Sequence, residues 1–109
     1  MKIEIKNYKG SKVVAPDGEI DMYSSPELRN ALMTLINKKT KTLYIDFKDV
    51  TYMDSSGIAT FVEGLKTMKA YGGRLKLIGL SEGIMEIFRF SKLDNIFEIF
   101  GNIEDALNN

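Results

Sequence analysis

At 109 residues, with 44% hydrophobic and 28% charged side chains, the chain has the length of one domain and the balance of a globular one, which excludes a disordered tail, a fibrous repeat and a membrane-spanning bundle. Fifteen Lys and Arg against fifteen Asp and Glu leave a formal charge of zero, so no net field gathers phosphate backbones or anionic lipid, and neither nucleic acid nor a membrane is expected as a partner. The absence of Cys and His removes disulfides, thiolate nucleophiles, imidazole bases and the usual zinc ligands together.

In chain order, Met1 to Lys6 alternates apolar with charged side chains, the period of a strand with one buried side rather than of a signal peptide or a span of about 20 apolar residues. With no targeting segment and no Cys, the expected address is the cytoplasm. Gly10-Ser11 offers a turn and Val13-Val14-Ala15 a second, antiparallel strand, which Pro16-Asp17-Gly18 is expected to interrupt. Ser24 then caps a first helix, with Glu27 as its capping-box partner and Pro26 in the first turn. Leu28, Leu32, Leu35 and Ile36 mark that helix's buried face, and Asn37-Lys38-Lys39 closes it with positive charge.

Thr42 to Phe47 reads as a third strand and 48–53 as a loop. Ile58, Phe61, Val62, Leu65 and Met68 step by three and four through a second helix, which Gly72-Gly73 should terminate. Arg74 to Ile78 alternates as a fourth strand. Ser81 opens a third helix carrying Ile84, Met85, Ile87 and Phe88, Asn95 to Phe100 is a fifth strand, and Ile103 to Leu107 a final helical turn or two. The order ββαβαβαβα predicts a single α/β domain over 1–109: a small mixed sheet, first strand antiparallel and the remainder parallel, flanked by helices.

The chemistry concentrates in Tyr52-Met53-Asp54-Ser55-Ser56-Gly57, where a strand gives way to a helix and open α/β sheets place their functional edge. The plain reading is a helix cap. The functional one is an exposed hydroxyl at a helix N-terminus, where the positive dipole end accommodates a phosphate. No base exists for a serine nucleophile, and neither G-x-S-x-G nor S-x-x-K occurs, so the chain is not expected to be an enzyme. Phosphate-loop and dinucleotide glycine patterns are absent as well, and no cofactor is expected. Asp17, Glu19 and Asp21 precede the first helix much as Asp54 precedes the second; solvated turn acids are the commoner case, and no metal is assigned to them. Lys38, Lys39 and Lys41 read as a solvated helix end rather than a nucleic-acid stripe. Met22, Ile58 and Phe90 are apolar candidates for a docking patch, although core burial is the commoner fate of each taken singly.

Gly18-Glu19-Ile20-Asp21, Met53-Asp54-Ser55-Ser56-Gly57, Gly72-Gly73 and the closing pattern from Leu93 to Leu107 together resemble the bacterial anti-anti-sigma factors, the single-domain STAS proteins, from about Ile3 to Leu107. The resemblance implies partner switching. The unphosphorylated antagonist binds an anti-sigma factor that is also a serine kinase and frees a sigma factor; phosphorylation releases the antagonist, and a phosphoserine phosphatase resets it. It puts the phosphoacceptor on Ser55 and partner contacts on Asp21, Asp54, Ser56, Gly57 and Ile58, in a protein that is a monomer when free. Two positions depart from the family pattern: Ala59 stands where a second glycine is frequent, and Ser91-Lys92-Leu93 where Thr-Gly-Leu is frequent. The alternative in the same fold is a STAS subunit of a transporter or sensory complex, without obligatory phosphorylation.

Overall fold

The computed structural model describes residues 1–109. Six strands and four helices follow one another as β1 (Lys2–Tyr8), β2 (Ser11–Ile20), α1 (Ser25–Asn37), β3 (Thr42–Asp46), β4 (Val50–Met53), α2 (Ser55–Ala70), β5 (Arg74–Ile78), α3 (Glu82–Phe90), β6 (Glu98–Phe100) and α4 (Ile103–Leu107). The sheet order is β1-β2-β3-β5-β6, with β4 paired to β2 beside this path. β1 runs antiparallel to β2 and every other pairing is parallel, as the strand and helix alternation predicts.

Two local expectations are corrected in β2. Pro16-Asp17-Gly18 does not end the strand, because β2 changes partner there: it pairs with β3 through Val14 and with β4 from Gly18 onward. Pro16 falls in the interval between them, where neither neighbour asks for its missing N–H. A register shift between Gly18 and Glu19, with Gly18 at φ +109°, bends β2 toward its second partner. The second correction is β4 itself, a strand where the sequence suggested a loop. Val50 and Met53 are buried and Thr51 and Tyr52 exposed, a pattern without period two that becomes a strand only because β2 supplies the ladder.

Helices α1, α2 and α3 cover one face of the sheet and bury a cluster of 19 residues that includes Val14, Leu43, Ile45, Leu75, Leu77, Phe61 and Phe88. Phe47 lies 5.3 Å from Phe61, with the rings tilted, and 6.2 Å from Phe88 between ring centroids, and Phe88 meets Phe97 at 5.4 Å; both Phe88 contacts set ring edge against ring face. The other face carries Val13, Tyr44 and Ile78, covered by Ala106 of α4. Central strands therefore lack a polar side, and Lys76, on the apparently solvent-facing register of β5, is 3% exposed. Its Nζ donates to Ala106 O at 2.6 Å and Asn109 O at 3.1 Å, and desolvation, followed by the nearby Arg74, pushes its pKa down.

At the edge, Met1 and Ile3 of the first alternating stretch pack on the core while Ile5 is 48% exposed. Helix α2 closes as its glycines predict: Gly72, at φ +83°, and Gly73 donate to Lys69 O and Met68 O respectively, a Schellman termination. Ser81 caps α3, accepting from Ile84 N. β6 is shorter than expected, for Asn95 and Ile96 lie in the preceding turn.

Candidate functional site

The start of α2 is set by β4. Met53 is buried, and the Asp54 N–H donates to Ile20 O at 3.1 Å, extending the contact with β2 by one residue. Asp54, extended at φ −112° and ψ −169°, is the N-cap: its Oδ1 accepts the Ser56 N–H at 2.9 Å and the Ser56 hydroxyl at 2.5 Å. These bonds, the hydroxyl first and then backbone N–H groups, hold the Asp54 carboxyl below the usual carboxylate range. Ser55 is the first helical residue. A carboxylate that caps the N–H two residues on draws the second serine to itself and turns the first outward; Ser55 is exposed and its hydroxyl takes no part in the side-chain hydrogen bonds of the molecule.

Gly57 lies under this turn. A Cβ there would come within 2.6 Å of Met53 Cγ and 2.7 Å of Ile20 Cγ2, so only glycine lets α2 approach the β2–β4 pair this closely. Ile58 is half-buried against the core, with Phe61 and Leu65 buried further along.

The β2–α1 loop is the second half of the site. Asp21 Oδ1 accepts the N–H groups of Tyr23 at 2.9 Å and Ser24 at 3.0 Å, and Ser24 Oγ accepts the Asp21 N–H at 2.9 Å while donating to Glu19 O at 2.7 Å. The expected capping box is therefore not formed: Ser24 occupies the N-cap position without a side-chain cap bond, because its hydroxyl is engaged by the loop. Ser25 is buried and joins the loops. Its Oγ lies 2.6 Å from Asp21 O and 2.9 Å from Ser56 Oγ. Behind it, Arg29 forms a two-pronged ion pair with Glu63, Nε and Nη2 each reaching one carboxylate oxygen.

The predicted residues thus gather at one edge, with Asp54, Ser55, Ser56, Gly57 and Ile58 on α2 or its cap and Asp21 beside them. Asp21, Asp54 and Ser56 are half-buried and Gly57 is buried, so what Gly57 supplies is room. Asp17, Glu19, Asp21 and Glu27 line one open groove that contains no basic side chain, yet they form no cluster able to hold a metal ion. Met22, singled out from sequence, is 67% exposed; beside it Tyr23, not singled out, is 86% exposed. Phe90 is exposed at the end of α3. Ser25 escaped sequence reasoning because its role depends on a residue 31 positions away, and the only local signal was a serine too many for one cap.

The model of the STAS domain matches residues 2–106. An anti-sigma-B factor antagonist of Bacillus subtilis is 38% identical over 107 residues, 98% of this chain and 97% of that one. One of Listeria monocytogenes is 35% identical over 109 residues, 99% and 95% of the two chains. Among solved structures, an anti-sigma factor antagonist from Mycobacterium paratuberculosis superposes with a TM-score of 0.89 at 22% identity, covering 98% of this chain and 91% of its own. The anti-sigma factor antagonist SpoIIAA in its unphosphorylated form does so with a TM-score of 0.76 at 21% identity, covering 98% and 96%. With the domain model matching residues 2–106 and relatives 35–38% identical over nearly the whole of both chains, the chain belongs to the STAS domain family.

Proposed function

We propose that this protein is an anti-sigma factor antagonist that binds an anti-sigma factor with serine kinase activity, releases the sigma factor, and is switched off by phosphorylation of Ser55. One observation carries the choice of serine: the Ser55 hydroxyl is exposed and unbonded at the start of α2, whereas that of Ser56 is held by Asp54 and Ser25. A kinase meets one hydroxyl ready to accept a phosphoryl group and a second that must first break two hydrogen bonds. In this reading the chain is substrate and ligand, not catalyst, and it works as a cytoplasmic monomer.

Charge explains why the phosphorylated form lets go. Phosphorylation adds about −1.5 to −2 charges beside Asp54 and near the carboxylates of the β2–α1 groove. On docking, that dianion is desolvated among like charges, while in the free protein the N-terminus of α2 tolerates it. If the complex loses about 3 kcal/mol, its Kd rises on the order of a hundredfold, and a phosphoserine phosphatase reverses the loss. Mass spectrometry after incubation with the cognate kinase and ATP tests the site. We expect modification at Ser55 in the wild type and in Ser56→Ala, none in Ser55→Ala, which still binds, and poor binding by Ser55→Asp. Modification at Ser56 alone, or undiminished binding by the phosphorylated form, overturns the mechanism.

A further inference from the structure

The sheet begins at β1, which pairs with β2 on one side and with no strand on the other. Its pairing fixes which backbone groups are left over. In an antiparallel ladder, residues directly opposite each other alternate between pairs that exchange hydrogen bonds and pairs that do not, and in the second kind both residues turn N–H and C=O away from each other. Ile3 lies opposite Pro16, which has no N–H to give, so that pair is of the second kind. Ile5 opposite Val14 and Asn7 opposite Lys12 are in the same phase. The two-residue turn at Lys9-Gly10, both at positive φ, agrees, since it closes on Tyr8 and Ser11 as a hydrogen-bonded pair. Ile3, Ile5 and Asn7 thus present donors and acceptors outward, and Ile5, at the middle of the strand, keeps an apolar side chain 48% exposed.

We propose that this edge pairs with the same edge of a second copy of the chain, antiparallel and centred on Ile5, to give a two-fold symmetric dimer with one continuous sheet. Symmetry and phase leave few registers. Only outward-facing residues can exchange bonds, and of the alignments that satisfy this, the one centred on Ile5 uses the whole of β1: Ile5 meets Ile5, Ile3 meets Asn7, and Lys2 meets Tyr8. Its charges match as well, since Glu4 faces Lys6 on both sides of the axis. The alignment centred on Glu4 sets Glu4 against Glu4 and Lys2 against Lys6, and the one centred on Lys6 sets Lys6 against Lys6, pairs that destabilise a ladder.

Within one chain, Glu4 and Lys6 already lie 3.2 Å apart on one face of the strand, so the dimer closes a ring of alternating acids and lysines around its centre. Charges on an edge strand ordinarily keep other strands off; this pattern repels a mismatched strand and admits its own copy. The contact is small, with one exposed isoleucine from each chain at its middle, and its Kd is on the order of 100 µM. The monomer is therefore the form that meets the kinase when the protein is dilute, and the dimer stands or falls independently of the antagonist reading.

Analytical ultracentrifugation of the free protein, over concentrations from about 1 µM to 1 mM, should show a monomer giving way to a dimer, with less dimer as salt screens the charges. Glu4→Lys and Lys6→Glu each set like charges across the axis on both sides and are each expected to raise the dimer Kd at least about tenfold. An equimolar mixture of these two variants should associate again, because each then faces the opposite charge in the other, and the double variant Glu4→Lys/Lys6→Glu should dimerise as the wild type does. Ile5→Pro removes an outward N–H that β2 does not use and should abolish the dimer while leaving the far-ultraviolet circular dichroism unchanged. A monomer at every concentration, a dimer indifferent to both single charge reversals, or a mixture of the two variants that stays monomeric overturns the proposal.

Discussion

The N-termini of α1 and α2 are written in nearly the same letters, an aspartate followed by paired serines, and they do opposite things with them. Before α1, Asp21 folds back on its own loop, Ser24 closes onto Glu19 O and the buried Ser25 onto Asp21 O, so no serine hydroxyl is left idle. Before α2, Asp54 is itself the cap and holds Ser56, which leaves Ser55 facing solvent without a partner. Spacing makes the difference. With the serines directly after the aspartate, the carboxylate satisfies the second and releases the first; with two residues between, it satisfies the loop instead. An available hydroxyl is a by-product of where the cap falls.

The largest expected effect tests how closely α2 must seat for that geometry. Gly57→Ala forces a Cβ against Met53 and Ile20, and overpacking of this kind costs about 1–3 kcal/mol. Gly64→Ala, further along the same helix, meets nothing nearer than Ile36 Cδ1 at 3.7 Å and should be neutral or stabilising by up to about 1 kcal/mol. Urea denaturation of the two variants measures the contrast; equal effects would mean that the start of α2 is not tightly seated.

Asp54→Ala comes next, with a loss of about 1 kcal/mol for a missing cap, while Asp54→Asn should retain most of it. The pH dependence has a definite sign. Because the folded carboxyl titrates below its ordinary value of 3.8, the part of its contribution that ionisation adds is complete above that value and is lost as the pH falls through the folded pKa beneath it. In acid unfolding, the gap between Asp54→Ala and wild type should therefore narrow toward the acid end, down to the cap that a neutral carboxyl, like Asn, still supplies. A difference that persists undiminished below the folded pKa would refute the carboxylate as its source.

The smallest effect falls on the serine that the proposed switch uses. Ser55→Ala removes an exposed, unbonded hydroxyl and should change stability by less than about 0.5 kcal/mol. A larger loss in thermal or urea unfolding would show that Ser55 is part of the cap after all, and the contrast between the two helix starts would collapse.

Much was legible because it is local. Helical spacing placed Phe61 and Leu65 in the core, Gly72-Gly73 ended α2, Ser81 capped α3, and the aspartate-serine-serine order marked the start of α2. Each depends on bonds that span a few residues, which propensity and capping rules describe. The family resemblance was legible for the same reason, as short motifs in a matching order.

What the tertiary structure decided is every feature whose partner lies far along the chain. β4 is a strand only because β2 leaves β3 and offers it an edge, and Pro16 is tolerated only in the interval of that exchange. Lys76 is buried because α4 returns to place carbonyl groups over it. Ser24 gives up its cap bond to the loop, and Ser25 reaches Ser56 across two helices. The amino-acid order determines which hydrogen-bonding groups exist and their near neighbours; which distant group satisfies each one is settled by packing, since burial removes water as the alternative partner.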